Sequence, residues 1–360
     1  MTLALCLLPA CVSISDSAYS DRLDFDGDGH VDYRLGGDDC DDSDPDRWDC
    51  PFPVDTGTDT GTGSDSDSGT LPSELTVVLP WTATPTCTTS TCYRDVSAGY
   101  RATCAVRGDG AVVCYGDLPI NGIPPSSGVV QVATGKQFAC ALTTSVGANV
   151  TCWGSGAGGS GAPNEHLTLI AAGTDHVCGL RSNGTAICWG DPTGGRTAAP
   201  SAEAFVQVDA GEAHSCGLRA DGSVLCWGDA IATWGATPGV RGSYLTAGAS
   251  TAPADTNCVV NVGGSLPVAC WNPAYDAPST PAIGYERAVR VTSGRLHACA
   301  LMVNGDVECW GSNSYGAAIA QVATDYIELS AGEQHTCALR ANGSIVCWGT
   351  AASYQGLPNL

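Results

Sequence analysis

The stretch LSAGEQHTCALRANGSIVCWG, residues 329–349, is the clearest copy of a motif that recurs seven times along the chain. Each copy carries a cysteine, a turn with Gly or other small residues, a second cysteine and, in six copies, a Trp directly after it. Neighbouring copies are spaced by 36 to 42 residues, measured between their first cysteines. A repeat of this length built from short strands predicts a β-propeller or a related array.

Within residues 329–349 the sequence Ala341-Asn342-Gly343 predicts the turn of a β-hairpin. We expect strands at residues 335–340 and 344–348, because Gly343 suits the left-handed conformation that closes a three-residue loop. Folding about Asn342 sets Cys337 against Cys347 at a non-hydrogen-bonded site, where Cα atoms lie about 4.5 Å apart. A disulfide can span that separation.

The spacing within each copy supports this pairing. Ten residues separate the two cysteines in five copies and twelve do so in two copies. A difference of two keeps both cysteines on one face, whereas a difference of one would move one cysteine to the other face. We therefore predict seven intrablade disulfides, each worth about 2–3 kcal/mol, the alternative being reduced cysteines in an apolar core. The predicted pairs are Cys104 with Cys114, Cys140 with Cys152, Cys178 with Cys188, Cys216 with Cys226, Cys258 with Cys270, Cys299 with Cys309 and Cys337 with Cys347.

Other repeated positions predict packing rather than chemistry. Adjacent residues of a strand point to opposite faces, so we expect the Trp after each second cysteine to pack between blades. Tyr115 takes this position in the first copy. Four copies have a histidine two residues before the first cysteine, and we expect structural hydrogen bonds from them because each lies on a different blade. They are His176, His214, His297 and His335.

Charge and cysteine content limit the possible functions. The formal net charge is −22, and residues 16–67 alone contain 17 Asp against three Arg. This balance argues against nucleic-acid partners, because few basic groups are available to neutralise phosphates. Twenty cysteines indicate an oxidising compartment. Outside the seven copies we expect two further disulfides, one between Cys40 and Cys50 and one between Cys87 and Cys92.

The N-terminal region divides into three segments before the propeller of residues 74–360. Residues 1–11 are apolar and end in Leu8-Pro9-Ala10-Cys11, which resembles a bacterial lipobox. The resemblance implies that Cys11 is acylated and anchors the chain in a membrane, the alternative being an apolar tip with a free cysteine. The run is short and has no basic residue, so we expect translation to start upstream. Residues 12–50 are rich in Asp, and residues 51–73 form a flexible linker of Thr, Gly, Ser and Asp.

The Asp-rich segment predicts a calcium site. DFDGDGHVD, residues 24–32, places carboxylates at alternating positions of a loop, with Gly where the chain must turn. The expected ligands are the side chains of Asp24, Asp26, Asp28 and Asp32 and the backbone carbonyl of His30. Together with GGDDCDDSDPD, the stretch resembles the Asp-rich metal-binding repeats of secreted bacterial proteins. The alternative is a solvated acidic spacer.

The motif AGxxHxCALRxxGxVxCWG resembles the regulator of chromosome condensation repeat over about residues 93–358. The resemblance implies an all-β, seven-bladed β-propeller, preceded here by the small calcium-binding loop and the flexible linker. That family includes nucleotide-exchange factors, ubiquitin-ligase modules and a secreted β-lactamase inhibitor, so the fold does not fix the activity. We expect residues 75–79 to form a strand that completes the last blade. The fifth copy has an insertion at residues 248–258, where a specific contact or a neutral insertion is expected.

These observations favour a non-enzymatic, monomeric binding module, exported and lipid-anchored at the bacterial outer membrane or cell surface. Its partner would be a protein or a glycan. One alternative is an inhibitor of a secreted enzyme, which would need an aromatic face. Candidates for that face are Trp234, Tyr244, Tyr275 and Tyr315. The other alternative is a hydrolase or lyase with unique polar groups on the propeller axis, although the sequence has neither a Ser-His-Asp nor an HExxH pattern.

Overall fold

The computed structural model describes the propeller blades and a short N-terminal hairpin. The described residues are 3–7, 10–14, 87, 89–117, 124–228, 241–248, 257–261, 268–272, 275–279, 288–321 and 325–350. The chain divides into two compact units, Met1–Leu71 and Pro72–Leu360. In the first unit, β1 (Leu3–Leu7) pairs with β2 (Ala10–Ile14), and the backbone register sets Cys6 opposite Cys11.

Several predictions concern residues outside this described part. They are the calcium ligands at residues 24–32, the disulfide between Cys40 and Cys50, the linker at residues 51–73, the closing strand at residues 75–79 and the tip of the insertion at residues 249–256. Acylation of Cys11 also stays a prediction, because only the backbone of β2 is described. In the described residues, no helix has the length and apolar character needed to cross a bilayer.

The second unit contains seven antiparallel sheets, six with three strands and one with four. The all-β, seven-bladed propeller with intrablade disulfides is therefore confirmed. The three strands of a blade, from the axis outward, are called inner, middle and outer. The blades are β3 (Tyr93–Ala98), β4 (Ala102–Arg107) and β5 (Val112–Gly116); β6 (Val129–Thr134), β7 (Phe138–Thr143) and β8 (Val150–Gly154); β9 (Leu169–Ala172), β10 (His176–Leu180) and β11 (Ala186–Gly190); β12 (Gln207–Ala210), β13 (His214–Leu218) and β14 (Val224–Gly228); β15 (Gly242–Thr246), β16 (Asn257–Asn261), β17 (Val268–Asn272) and β18 (Tyr275–Ser279); β19 (Ala288–Ser293), β20 (His297–Met302) and β21 (Val307–Gly311); and β22 (Tyr326–Ala331), β23 (His335–Arg340) and β24 (Ile345–Gly349).

The inner strands form a closed ring around the axis. They contact one another in the order β3, β6, β9, β12, β15, β19, β22 and back to β3. Hydrogen bonds join the last blade to the first: the Tyr93 N–H donates to the Gly343 carbonyl at 2.7 Å, and the Ala98 N–H donates to Ser330 Oγ at 2.9 Å. Within the described residues, the ring thus closes by direct contact between blades 7 and 1.

The strand register sets the two cysteines of each copy opposite each other across the middle and outer strands, as the spacing predicts. In blade 7, Cys337 pairs with Cys347 and Leu339 with Ile345, while the Arg340 N–H donates to the Ser344 carbonyl at the turn. The same facing register holds in the two copies with twelve-residue spacing, so the longer turns leave the pairing unchanged.

All seven predicted intrablade disulfides form, with Cα separations of 3.9 to 4.1 Å. They join Cys104 to Cys114, Cys140 to Cys152, Cys178 to Cys188, Cys216 to Cys226, Cys258 to Cys270, Cys299 to Cys309 and Cys337 to Cys347. Such short separations belong to non-hydrogen-bonded pairs. Cys87 and Cys92 form an eighth disulfide in the described residues, before the first blade, as expected. The alternative of reduced core cysteines is therefore wrong for these positions.

The aromatic residue after each second cysteine packs on the disulfide of the preceding blade. Trp348 of blade 7, for example, lies in one core cluster with Cys299 and Leu301 of blade 6. Tyr115 of blade 1 packs in the same way on Cys337 and Cys347 of blade 7. The Trp348 indole N–H also donates to the Ala317 carbonyl at 2.9 Å. The predicted packing between blades is therefore present, and the disulfide supplies its apolar surface.

The four repeated histidines are buried and bond to the next blade. In each of them Nε2 lies 2.7 to 2.8 Å from a side-chain oxygen on the following middle strand. The pairs are His176 with Ser215, His214 with Asn257, His297 with Thr336 and His335 with Thr103. Burial lowers the pKa of His297 to about 4. These rings are structural, neutral hydrogen-bonding groups, as the sequence predicts.

Removing one disulfide tests how much these crosslinks stabilise the blades. We expect the double substitution Cys337→Ala with Cys347→Ala to lower the free energy of unfolding by about 2–3 kcal/mol, because the unfolded chain regains the entropy of an open loop. Urea denaturation of the oxidised protein measures this difference. An unchanged urea midpoint, or free thiols at these positions in a non-reducing peptide map, would contradict the expectation.

The buried histidines make stability sensitive to acid. Above about pH 6.5 both the native and the unfolded states hold neutral imidazoles. As the pH falls from about 6.5 towards about 4, the unfolded chain takes up a proton at His297 that the native state does not take up, so stability is lost. His297→Gln should reduce the slope of unfolding free energy against pH by up to about 1.4 kcal/mol per pH unit in this window.

The measurement is a series of urea denaturations from pH 7 to pH 4. His166→Gln is the matched control, since His166 is exposed, and it should leave the slope close to that of the unsubstituted protein. Equal slopes for His297→Gln and the control would show that the buried ring does not resist protonation.

Candidate binding pocket on the propeller axis

The inner strands enclose a cavity of about 220 Å³ on the propeller axis, here called the axial pocket. Its shape depends on the Gly that follows each inner strand. A Cβ atom built on any of six of these glycines would lie 2.1 to 2.8 Å from the carbonyl oxygen of the corresponding Gly in the next blade. Only Gly therefore allows the inner strands to converge so closely. The six are Gly99, Gly135, Gly173, Gly211, Gly294 and Gly332.

The floor of the pocket is formed by side chains four residues before each of these glycines or before Gly248, their counterpart in blade 5. Asp95 Oδ2 accepts the Val132 N–H at 2.6 Å, so this carboxylate joins blade 1 to blade 2. The Gln131 amide bonds both the N–H and the carbonyl of Ile170 at 3.0 Å. The floor thus ties neighbouring inner strands together through side chains.

Two floor carboxyl groups lie against each other. Asp95 and Glu328 share a hydrogen bond, and the Arg290 guanidinium lies 3.8 Å from Glu328. Burial raises the pKa of both carboxyl groups, and the charge of Asp95 raises that of Glu328 further. The pair therefore retains a proton at pH values where exposed carboxyl groups are ionised. Arg290 also lies 5.4 Å from the centroid of the Tyr244 ring.

The wall of the pocket is formed by side chains two residues before each of these glycines. Three of its hydroxyl groups each accept a backbone N–H from the next blade at 2.9 to 3.0 Å. They belong to Ser97, Thr292 and Ser330. Asp209 Oδ2 accepts the Ala247 N–H at 2.7 Å, and burial raises the pKa of this carboxyl group to about 6. On blades 2 and 3, the wall consists of Ala133 and Ala171.

The mouth of the pocket is formed by side chains that follow the glycines. Arg295 pairs with the buried Glu333 at 2.7 Å. The Lys136 Nζ lies 5.4 Å from the centroid of the Tyr100 ring, and within the described residues no carboxylate forms an ion pair with it. Burial raises the pKa of Glu212, which faces the same opening. The mouth thus combines two basic groups, an aromatic ring and two acids.

The ionisable groups on the floor of the axial pocket are engaged in contacts that hold the inner strands together. Paired carboxyl groups can act as acid and base. Here, however, Asp95 is held by a backbone N–H and Glu328 lies beside a guanidinium, so both are engaged in holding the floor. The four repeated histidines bond between blades instead of facing the pocket. In the described part of the chain, no group of three or more His, Cys, Asp or Glu is placed to hold a metal ion.

The structure places the predicted site residues at several separate locations. The insertion of blade 5 starts from Gly248, whose carbonyl lies in the ring of glycines at the mouth. Tyr244, one of the candidates for the aromatic face, lines the axial pocket. Tyr315 is exposed, whereas Trp234 and the side chain of Tyr275 lie outside what the structure describes.

The sequence analysis missed the axial residues, although a signal was present. The side chains four residues before the Gly of each copy form the floor, and those two residues before it form the wall. They read Asp95 and Ser97, Gln131 and Ala133, Leu169 and Ala171, Gln207 and Asp209, Tyr244 and Thr246, Arg290 and Thr292, and Glu328 and Ser330. Because a strand has a period of two, both columns face the axis. The residue types at these positions differ from blade to blade, so no repeated residue marks them in the sequence.

The paired floor carboxyl groups of Asp95 and Glu328 make the unfolding free energy depend on pH. Because the native pair holds its proton more tightly than the unfolded chain, stability is lost as the pH rises from about 4.3 through neutrality. Glu328→Gln does not titrate, so its unfolding free energy should fall less between about pH 5 and pH 8. Urea denaturation across this range measures the difference. Glu165→Gln is the control: it removes a carboxylate paired with Arg181 at the surface, and its unfolding free energy should vary with pH as in the unsubstituted protein. If Glu328→Gln also varies as the unsubstituted protein does, the proposed proton sharing is wrong.

Four segments of the chain match the family model of the regulator of chromosome condensation (RCC1) repeat. They are residues 168–196, 205–230, 288–317 and 326–355, which correspond to blades 3, 4, 6 and 7. No curated protein sequence matches the chain.

Solved structures with the same fold include two ectodomains of plant receptor kinases. The CRINKLY WD40 ectodomain of the Arabidopsis thaliana receptor kinase ACR4 is 23% identical, with a TM-score of 0.59 over 73% of this chain and 97% of that chain. The ectodomain of the Physcomitrella patens receptor kinase CR4 is 24% identical, with a TM-score of 0.57 over 71% and 72%. Human WBSCR16 is 15% identical, with a TM-score of 0.54 over 72% and 87%.

At these identities the structures show a shared fold and nothing more. Together with the four sequence matches, they agree with the blade architecture described above. Four blades of the seven-bladed propeller, namely 3, 4, 6 and 7, thus match the RCC1 repeat model.

Proposed function

We propose that this chain is an exported, lipid-anchored binding module of the bacterial cell surface, with a protein or a glycan as its partner. The observation that carries the proposal is the disulfide in every blade. Such bonds persist in oxidising compartments and are rare in the reducing cytosol. Two of the structures that share the fold are receptor ectodomains, so a propeller of this kind occurs outside cells.

The binding role is supported by the rigidity of the axial pocket. Its floor and wall side chains accept hydrogen bonds from the neighbouring inner strands, and the crosslinked blades hold those strands in place. A pocket that is already formed before the ligand arrives loses little conformational entropy on binding. The mouth adds charged and aromatic groups that can give specificity.

The N-terminal region completes the proposal. Cys11 would carry the lipid, and the linker at residues 51–73 would hold the propeller away from the membrane. Ca²⁺ would bind the Asp-rich loop through Asp24, Asp26, Asp28, Asp32 and the His30 carbonyl and order that segment, which a disulfide between Cys40 and Cys50 would close.

Anchoring is tested by expressing the chain in a Gram-negative bacterium grown with labelled palmitate. We expect label on the unsubstituted protein and none on Cys11→Ala, because the acyl chain needs this thiol. Membrane fractionation should move the variant to the soluble envelope fraction. The matched control is the double variant Cys87→Ala with Cys92→Ala, which removes two other thiols and should keep the label. Equal labelling of Cys11→Ala, or fully reduced blade cysteines in the expressed protein, would overturn the proposal.

A further inference from the structure

The axial pocket has a polar side and an apolar side. Ser97, Thr292 and Ser330 lie on three consecutive blades, namely 6, 7 and 1, so their hydroxyl groups form one continuous arc of the wall. Leu169, Ala133 and Ala171 form an apolar arc on the adjoining blades 2 and 3, while blades 4 and 5 contribute Asp209 and Thr246 to the wall. A ligand that fits must itself have an apolar face and several polar edge groups.

The polar arc can donate hydrogen bonds to a ligand. Each of its three hydroxyl oxygens accepts a backbone N–H from the next blade, and this fixes where the oxygen lies. A hydroxyl group that accepts one bond still has its own O–H to give. In the described residues no acceptor is found for these three O–H groups. The arc therefore offers three donors, held in fixed positions, to a ligand rich in hydroxyl groups.

The mouth favours a negative group on that ligand. Lys136 is the one lysine in the chain, and no carboxylate forms an ion pair with it within the described residues. Arg101, with a side chain 60% exposed, lies on the neighbouring blade. Arg101 and Arg295 both pair with Glu333, and burial raises the pKa of Glu212 although the charge of Lys136 acts to lower it. Lys136 is therefore the basic group at the mouth that can pair with a negative group on a ligand.

The volume of the pocket limits the size of the ligand. About 220 Å³ holds roughly seven water molecules at about 30 Å³ each. That space suits a single sugar ring, whose C–H face matches the alanine arc and whose hydroxyl groups match the serine and threonine arc. A folded protein loop would place several residues in the mouth at once, and the pocket has no room for them.

We propose that the axial pocket binds a sugar residue that carries a carboxylate, at the end of a glycan chain. Lys136 pairs with the carboxylate at the mouth, and the hydroxyl groups of Ser97, Thr292 and Ser330 bond the sugar hydroxyl groups below it. This inference rests on the proposed binding role and gives the chemical class of the partner. The class follows from three features together: the single ring-sized space, the hydroxyl arc beside the alanine arc, and the lysine that forms no ion pair within the described residues.

The single lysine makes the binding directly observable. Reductive methylation with ¹³C-formaldehyde labels Lys136 and the chain's terminal amine, and the two give separate NMR signals. Galacturonic acid and its trimer should shift the Lys136 signal in a saturable manner, with a Kd of about 1 mM for one sugar of this size. Galactose at the same concentrations should shift it much less, because it lacks the carboxylate.

Variants test the assigned contact by calorimetry with the galacturonic acid trimer. Lys136→Gln should weaken binding about tenfold, because a charge-assisted hydrogen bond is lost, while Lys136→Arg should retain most of the affinity. Arg241→Gln is the matched control. It removes the same charge beside the Asp221 turn, at a site that does not line the pocket, and should bind like the unsubstituted protein.

The other outcomes separate a wrong ligand class, a wrong binding site and a wrong proposed function. If an acidic peptide shifts the Lys136 signal and the uronic acids do not, the sugar assignment is overturned and the partner is a protein. Should Lys136→Gln bind the trimer as well as Arg241→Gln does, the ligand is not at the mouth. If no sugar binds while the immobilised chain still retains a component of envelope extract that soluble chain displaces, the pocket inference fails and the proposed function stands. A chain that retains no such component and binds no sugar fails both.

Discussion

Two cysteines that face each other across the middle and outer strands are the constraint on which the propeller depends. The facing positions are non-hydrogen-bonded sites, where the backbones approach to 3.9 to 4.1 Å between Cα atoms. The first cysteine of each pair is fully buried. The chain has only four Phe, and its blade cores consist of Val, Leu, Ile and Ala side chains with the disulfides among them. The disulfide adds to that core, and it presents an apolar surface on which the next blade packs its Trp.

Buried hydrogen bonds add selectivity to this packing. Where a blade has a histidine two residues before its first cysteine, the next blade has Ser, Asn or Thr one residue before its own. Where the histidine is absent, as at Ala102 and Phe138, the next blade has an apolar residue there, Ala139 or Val177. A buried polar group without a partner costs free energy, so the two positions must change together. These bonds join four blades to the blade that follows, including blade 7 to blade 1.

How much the sequence predicts depends on whether a position repeats. The facing cysteines, the hairpin turn at Gly343 and the packing of Trp348 follow from spacing, because strand alternation leaves one arrangement for each. The inner strands were harder to predict, since residues such as Leu169 and Arg290 share a position without sharing chemistry. The place of Tyr244 on the axis is not apparent until its position in the copy is compared with those of Arg290 and Glu328. That comparison needs the complete set of copies aligned on the ring of glycines.

The same division separates scaffold from function within each blade. Positions that must satisfy an identical neighbour, such as Gly332 against Gly99 or Trp348 against Cys299, are held constant by the seven-fold geometry. Side chains that point to the axis meet six different neighbours in a space that no blade fills alone, so each can differ without disturbing the ring. Asp95 and Glu328 hold the floor at blades 1 and 7, while alanines leave room at the wall of blades 2 and 3. A repeating scaffold thus gains an asymmetric pocket at the one place where all seven copies meet.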